Sequence, residues 1–356
     1  MFETRHLPRG KICGGGLTPK AQRLVPQAAL DTVERRIHQV EIQGGRFGPV
    51  RLDAPDAEIA MVPRASFDLA LVQAAATAGA EIRDGERAHR VVEEHHGVTI
   101  ETQRGSMLVD VVVAADGDPS AVARQLGLGG TARRRSLALN VDLPLTSARP
   151  AETAVLSFTV PGGYAWYFPK GHHASVGVGS NHAGARDKAA VASLRHSLSS
   201  FAASLGLDIN DGHVTGHWVP QGLRHGRIAT RRVLLAGDAA ATGDPLLGEG
   251  IAYAIISGVV ASCTIADMDA RLVADLRVYD ARLRTLLGPL LRRLELATAG
   301  MQRSATLGLL ALRLSPWVRT YAVDVVSGRR SPFALDALAA PGSSSSLADA
   351  YRMLRR

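Results

Sequence analysis

The stretch VLLAGDAAATGDPLLGEGI, residues 233–251, is the most informative part of this 356-residue chain. Its apolar beginning predicts a short buried strand over residues 233–236, and its Gly-Glu-Gly turn opens a predicted helix over residues 251–265. A carboxylate at the end of a strand can accept hydrogen bonds from the hydroxyls of a cofactor tail. The free N–H groups of a helix start attract negatively charged oxygens. We therefore predict a cofactor site formed by Gly237, Asp238, Pro245, Gly248, Gly250 and Ile251.

Four further motifs precede this stretch. PRGKICGGGLTPKA, residues 8–21, is a glycine-rich loop, and VVAADGDPSAVARQLGL occupies residues 112–128. Arg64 stands before Phe67-Asp68-Leu69 at the start of a predicted helix. YAWYFP, residues 164–169, is followed after seven residues by Gly-Val-Gly, residues 177–179.

In this order and at these spacings, the motifs resemble the geranylgeranyl reductase family of FAD-dependent oxidoreductases, within the flavoprotein monooxygenase-like superfamily. The resemblance covers about residues 1–285, and its aromatic motif separates reductases from hydroxylases of the same fold. It implies that a bound flavin takes hydride from NAD(P)H or another reductant. The hydride then passes to a carbon–carbon double bond of an isoprenoid chain, so the implied partner is a prenyl lipid or prenylquinone.

The resemblance also assigns roles to single residues. Glu3 would meet the adenosine ribose of FAD, and Arg64 its phosphate or ribitol region. Asp116 and Gly117 would approach the pyrophosphate. Asp238 would bind the ribitol, and residues 248–251 the pyrimidine edge of the flavin. For the segment around Asp238, the alternative is an ordinary strand–loop–helix corner capped by an Asp. For Arg64, it is a surface arginine at a helix start.

Tyr164, Trp166 and Phe168 alternate along one predicted strand, so their side chains project to the same face. An aromatic face suits a long apolar chain, although three core aromatics packed on a helix would give the same pattern. Gly177 and Gly179 also share a strand face and would leave a groove free of side chains. The predicted substrate-binding residues are Gly14, Gly15, Tyr164, Trp166, Phe168, Pro169, Gly177 and Gly179.

Cys13 is the candidate catalytic residue of the glycine-rich loop. It either relays a proton near the flavin or is a small residue in a crowded loop. The histidines, including the pairs at residues 95–96 and 172–173, have no carboxylate or cysteine at metal-ligand spacing. We therefore predict no metal.

The sequence departs from the family pattern at its beginning. Met1 stands where the second strand of the family's FAD domain should end, and no G-x-G-x-x-G precedes the matched motifs. The triple glycine at residues 14–16 follows Cys13 rather than a strand, so it is no substitute. We expect either a fragment of a longer protein or a degenerate relative, and weak FAD binding by the chain as given.

The fold class predicted is α/β with α+β character, in four parts. Residues 1–130 and 220–270 would form an incomplete Rossmann-like FAD-binding domain, interrupted by an antiparallel substrate-binding sheet over residues 131–219. Within the first part, we predict a helix over residues 65–78 and a nearly all-apolar parallel strand over residues 107–114. A helical region over residues 271–340 and a flexible tail over residues 341–356 would follow.

The composition limits the partners. The net charge is +8, from 37 Arg and only 4 Lys against 33 acidic residues, but aromatics are 4% and no nucleic-acid motif occurs, so we predict no nucleic-acid binding. Two distant cysteines and the lack of a signal peptide favour a reducing, cytoplasmic location. The apolar residues 233–268 are interrupted by Asp238, Asp244 and Glu249 inside the opening motif and are interpreted as core.

One segment leaves the membrane question open. Leucines recur at three- and four-residue spacing over residues 283–294, with arginines mainly off that stripe. Either the stripe faces the core, or the basic amphipathic segment makes peripheral contact with an anionic membrane at its inner face.

Three functional classes remain. They are an FAD-dependent reductase of prenyl double bonds, a flavin-dependent monooxygenase of the same fold, and a non-catalytic remnant. The aromatic motif favours the reductase.

Overall fold

The computed structural model describes residues 1–46, 48–53, 58–145, 152–182 and 188–327. These residues form a mixed α/β fold, which confirms the predicted class. The strands are β1 (Phe2–Glu3), β2 (Gly16–Leu17), β3 (Arg35–Ile37), β4 (Gln39–Gln43), β5 (Val50–Asp53), β6 (Ile59–Met61), β7 (Arg83–Asp84), β8 (Ala88–Glu93), β9 (Val98–Thr102), β10 (Gly105–Val109), β11 (Val112–Ala114), β12 (Ala132–Pro144), β13 (Thr153–Ser157), β14 (Gly163–Pro169), β15 (His173–Ser180), β16 (Thr215–Arg224) and β17 (Val233–Leu235). The α-helices are α1 (Pro19–Gln22), α2 (Gln27–Leu30), α3 (Arg64–Thr77), α4 (Ala121–Gln125), α5 (Lys188–Ser204), α6 (Ile251–Asp269), α7 (Val278–Arg303), α8 (Ala305–Leu314) and α9 (Pro316–Ser327).

The largest sheet has seven strands in the order β16-β12-β15-β14-β13-β4-β5. Its pairs are antiparallel except β13 with β4. Helix α5 packs Leu194, Leu198 and Phe201 into the apolar cluster formed with this sheet. Five of its strands fall within residues 132–224, and β4 and β5 join them from the residues predicted for the FAD-binding part. Strand β4 pairs with β13, which lies over 100 residues away in sequence, so no local pattern reports that pairing. Strand β5 joins the sheet as the partner of β4.

The part that carries the opening motif contains two parallel strand pairs, β1 with β7 and β11 with β17. The prediction of one strand over residues 107–114 is wrong. Residues Gly105–Val109 turn back on β9 as an antiparallel ribbon, and Val112–Ala114 then pairs with β17. Asp110 interrupts the apolar run between the two strands, and the chain changes partner there.

Helix α3 matches the prediction within one residue at each end, and Gly79 follows it with a φ of +98°, a conformation that favours glycine at a helix end. Its residues Phe67 and Ala70 pack with the buried Leu17 and Val62. The glycine-rich loop is thereby fixed between α3 and the strands β2 and β6.

Helix α6 is the one helix in the described ranges long and apolar enough by composition to cross a membrane. Its residues Tyr253, Ile256 and Val260 lie in a core cluster together with the buried strand β17. This agrees with its interpretation as core.

Helix α7 contains the leucine stripe of residues 283–294, which could face either the core or a membrane. All six leucines of the stripe are buried in that same core, so the core-facing interpretation is confirmed and the stripe cannot contact a membrane. On another side, Arg282 pairs with the buried Asp267 at 2.7 Å. Helices α7 to α9 fill much of the predicted helical region, while residues 328–356, with the predicted tail, lie outside the described residues.

Candidate cofactor and substrate site

The opening motif forms a tight loop at the carboxyl end of β17. Gly237 has a φ of +58°, which glycine adopts without strain, and its N–H donates to Ser257 Oγ of α6 at 2.8 Å. Residues Gly237–Ala240 form a 3₁₀ turn, and Asp238 projects from it beside the start of α6. The strand, the loop and the helix therefore have the predicted order.

The Asp238 carboxylate faces the first turn of α6. A Cβ added to Gly250 would point at Asp238 Oδ1, 3.8 Å away, so the absence of a side chain keeps open the gap between carboxylate and helix. Gly250 is the N-cap and supplies no side-chain hydrogen bond to the helix. The first N–H groups of α6 are thus available to a ligand. Asp238 Oδ2 accepts a bond from Lys11 Nζ of the glycine-rich loop at 3.1 Å.

These groups line a cavity of about 1250 Å³. The glycine-rich loop, the start of α3, the aromatic strand β14 and the start of α6 all contribute to its wall. Of the predicted site residues, those that line it are Cys13, Gly14, Gly15, Arg64, Gly117, Tyr164, Trp166, Phe168, Gly179, Gly237, Asp238, Pro245, Gly248, Gly250 and Ile251.

The aromatic residues of β14 share one face, as predicted. The rings of Tyr164 and Trp166 lie 5.9 Å apart, and Phe158 extends the row at 5.7 Å from Tyr164. The Tyr164 hydroxyl donates to the Leu247 carbonyl, which ties the strand to the loop before α6. Trp166 Nε1 is buried in the cavity wall and has no hydrogen-bond partner among the described residues. A donor of this kind is available to a ligand oxygen.

The glycines at residues 14, 15 and 177, near this face, each avoid a different steric clash. A Cβ on Gly14 would lie 2.6 Å from the Phe168 ring, and one on Gly15, at a φ of +74°, would lie 2.3 Å from the Val62 carbonyl oxygen. The predicted groove over Gly177 is filled, because the Trp166 indole covers it and a Cβ there would lie 2.0 Å from the ring. Only Gly179 of the pair lines the cavity.

Besides Gly177, three predicted residues stand apart from the cavity wall. Glu3 binds Arg9 at 2.7 Å. Asp116 caps α4 by accepting from Ser120 Oγ and from the N–H groups of Ala121 and Val122. Pro169 is buried at the end of β14 and, like Glu3 and Asp116, is not among the described residues that line the cavity. Their predicted contacts with FAD or substrate remain predictions.

Cys13 and Arg64 meet on the cavity wall. The Arg64 guanidinium forms two bonds with Asp68, at 2.9 and 3.0 Å, and faces the Cys13 thiol. Burial alone would raise the pKa of the Cys13 thiol, but the Arg64 charge and the Gly15 N–H outweigh it, and the pKa lies below its ordinary value. Cys13 can therefore exchange a proton more readily than an ordinary buried thiol.

Sequence analysis missed a cluster of buried charges under the Gly-Glu-Gly turn. Lys20 Nζ binds Glu249 Oε2 at 2.6 Å and the Tyr253 hydroxyl at 3.2 Å. Glu249 Oε1 accepts from Thr18 Oγ1 at 2.6 Å. Asp244 lies beside them on the cavity wall, and burial raises the pKa of its carboxyl to about 6 although the Lys20 charge opposes this. Lys20 lies in the glycine-rich motif of residues 8–21, but the spacing of that motif does not indicate a partner more than 200 residues away.

The residues present fit the flavin and ribitol end of FAD. The carboxylate of Asp238, the clear gap at Gly250 and the open start of α6 supply one acceptor and several donors on one cavity. Flavin oxygens and ribitol hydroxyls require this combination.

Comparison with known proteins agrees with this geometry. The family model described as FAD binding domain matches residues 21–267. The chloroplastic geranylgeranyl diphosphate reductase of Oryza sativa subsp. japonica is 28% identical over 333 residues, covering 84% of this chain and 69% of the relative. The menaquinone reductase of Mycolicibacterium smegmatis is 30% identical over 288 residues, covering 74% and 69%.

A solved structure gives the same result for the fold. A geranylgeranyl bacteriochlorophyll reductase-like protein from Thermoplasma acidophilum superimposes with a TM-score of 0.74 at 22% identity, covering 99% of this chain and 92% of that one. Fold and site together define an FAD-binding flavoprotein. The chain belongs to the FAD binding domain family and, within it, to the geranylgeranyl reductase family of FAD-dependent oxidoreductases.

Proposed function

We propose that this protein reduces carbon–carbon double bonds in the isoprenoid chain of a prenyl lipid or prenylquinone, with NAD(P)H or another reductant as the electron source. The observation that carries the proposal is the continuity of one cavity. Its wall runs from Asp238 and the start of α6, past the aromatic face of β14, to apolar residues of β4, β5 and α8.

The apolar part of this cavity suits a long hydrocarbon chain. Beyond Trp166 most of its wall is formed by aliphatic and aromatic side chains, among them Ile42, Leu52, Phe158 and Leu312. Burial of an isoprenoid chain against them gains roughly 25 cal/mol per Å² of apolar surface. Such a wall offers few donors that would orient a phenolic ring, which supports the reductase over a hydroxylase.

Reduction of an alkene adds a hydride to one carbon and a proton to the other. FAD, when bound and reduced by the electron source, would supply the hydride. Cys13 is the residue that we propose to hold the proton, because its thiol lines the cavity and the Arg64 charge lowers the pKa of that thiol. Trp166 and Tyr164 exclude water from the same wall and hold the chain in place.

The test uses the protein saturated with added FAD, chemically reduced and kept under anaerobic conditions. A polyprenyl lipid or prenylquinone should reoxidise the flavin, so that its absorbance returns. Mass spectrometry should show a product heavier by two hydrogens per reduced bond. Trp166→Ala should slow this step roughly tenfold or more while changing flavin affinity far less, because it removes apolar contact with the chain.

Tyr167→Phe is the matched control, since Tyr167 is the next residue of β14 and packs on the opposite face of the sheet. It should leave the reoxidation rate close to that of the wild type. Oxygen uptake that depends on an aromatic substrate, with a hydroxylated product and no anaerobic alkene reduction, would instead make the protein a monooxygenase.

A further inference from the structure

Exposed apolar side chains are concentrated at one place on the molecule. Of the nine large hydrophobic residues exposed in the described part of the chain, five lie between Leu296 and Tyr321. On α8 and α9, Leu307 is 66% exposed, Leu314 70% and Trp317 64%. The Trp317 and Tyr321 rings stack with their centroids 5.5 Å apart. Soluble surfaces seldom gather so many apolar side chains without a partner.

The long cavity opens within this patch. Leu307 and Tyr321 line the cavity and are also exposed, so they mark its mouth. Behind them, Leu309 is buried against Ile42 and Val50 of the large sheet, and Met301 packs over Gly308. An apolar path therefore leads from the surface of α8 and α9 to the aromatic face of β14.

Basic side chains accompany the exposed apolar residues along the same stretch of chain, and Arg303 also lines the cavity. Arg303, Arg313 and Arg319 are exposed, whereas Asp324 is the one acidic residue between Leu296 and Ser327. The whole chain carries a net charge of +8. Basic side chains beside apolar and aromatic ones are the pattern of a surface that lies in the interface of an anionic bilayer.

We propose that α8 and α9 dock on a membrane that contains anionic lipid, and that the isoprenoid chain enters the cavity directly from the bilayer. This inference rests on the proposed function for the identity of the chain, but the docking itself is measurable without any turnover. It also moves the membrane contact away from the leucine stripe of α7, which is buried.

Flotation with vesicles tests the docking. The protein should bind vesicles of phosphatidylcholine mixed with phosphatidylglycerol, and bind pure phosphatidylcholine vesicles much more weakly. Leu314→Glu and Trp317→Glu should each weaken binding roughly tenfold or more, because each withdraws a large apolar side chain from the bilayer. Leu108→Glu is the matched control, since Leu108 is 62% exposed on β10 and should leave binding unchanged.

Two results would overturn the proposal. One is vesicle binding that Leu314→Glu and Trp317→Glu leave unchanged. The other is a stable dimer in sedimentation that these variants dissociate, which would show that a second copy covers the patch. Activity separates this inference from the proposed function: vesicle binding without alkene reduction would refute the function and support the docking surface. Full reduction of a vesicle-embedded prenyl lipid by Trp317→Glu would refute entry from the bilayer.

Discussion

At the scale of single residues, the cavity wall beside α6 is defined by charges that folding has removed from water. Lys20 and Glu249 neutralise each other at 2.6 Å, and both lie close to Asp244. Asp244 Oδ1 accepts the Leu246 N–H at 2.6 Å, so an isosteric amide could make the same bond. Asp244 is therefore the carboxyl at which burial has its clearest energetic effect.

We expect Asp244→Asn to change the pH dependence of stability. The pKa of Asp244 is raised from 3.8 to about 6 in the folded protein, so folding favours its protonated form. The wild type should lose stability as the pH rises through this interval, and Asp244→Asn should not. Relative to the wild type, the variant should gain roughly 2 kcal/mol between pH 4 and pH 7, at about 1.4 kcal/mol per pKa unit. Urea unfolding across this range measures the difference.

Asp275→Asn provides a control of opposite sign. The Arg277 guanidinium holds the pKa of Asp275 below its ordinary value, so the wild-type carboxylate contributes stability that is lost as the pH falls. That variant should lose stability relative to the wild type as the pH rises. A difference between Asp244→Asn and the wild type that stays constant with pH would contradict the expected burial effect.

Much of the site could be predicted one residue at a time, because local motifs report local conformation. Asp238, Gly250 and the aromatic row of β14 all lie on one cavity, as their motifs suggested. Contacts across the fold could not be predicted in this way. Nothing local to Gly177 indicates that Trp166 covers it, and nothing local to Lys20 indicates Glu249 as its partner.

At the scale of elements, the pairing of β14 with β15 explains the two glycines of β15. Trp166 stands opposite Gly177, and Tyr164 stands opposite Gly179. The missing side chain at Gly177 gives the indole its place, whereas Gly179 has its nearest heavy atom, from Trp166, 3.7 Å from an added Cβ. The two positions therefore differ in the room they offer on one strand.

Gly177→Ala should destabilise the protein by about 1–3 kcal/mol, because the added methyl group overlaps the Trp166 ring and the Leu139 carbonyl oxygen. Gly179→Ala should cost less than about 1 kcal/mol, since its methyl group meets ordinary contacts. Chemical unfolding measures both, and the tryptophan fluorescence of Gly177→Ala should shift as the indole moves. Equal costs at the two positions would show that Trp166 does not require the glycine.

Elements with a strong period were predictable, and elements defined by distant partners were not. The leucine stripe of α7 follows from spacing alone, since a buried helix face repeats every three or four residues. Helix α3 follows from the motif at its start and the glycine after its end. The apolar run at residues 107–114 has no such period, and only the partners β9 and β17 decide that it forms two strands. The recruitment of β4 and β5 to the large sheet depends on partners in the same way.

At the scale of the whole molecule, one buried arginine connects the large sheet with the cofactor-binding part. Arg224, at the end of β16, donates to the Ala239 carbonyl at 2.6 Å and to Asp118 Oδ1 at 2.9 Å. Arg284 of α7 donates in turn to the Arg224 carbonyl at 3.1 Å. The loop that carries Asp238 is thereby held to both the sheet and α7.

Arg224→Met should destabilise the fold by about 3–5 kcal/mol, because it removes the buried partner of Asp118 and leaves that carboxylate, among the described side chains, with the partly exposed Arg135 at 2.6 Å. Arg90→Met breaks the exposed pair with Glu101 on the ribbon and should cost less than about 1 kcal/mol. Thermal and urea unfolding measure both costs. A cost for Arg224→Met as small as that for Arg90→Met would show that the connection contributes little.

The parallel pair β11 and β17 has a consequence for the order in which the protein folds. Val112 pairs with Val233, and five of the seven strands of the large sheet lie between them in sequence. Closing so long a loop is slow unless the intervening chain has already become compact, and parallel strands far apart in sequence pair late. The Asp238 loop, which follows β17 directly, is therefore expected to reach its final position only after the inserted sheet has folded. Variants that slow the formation of that sheet would then delay cofactor capture even where the finished protein is fully stable.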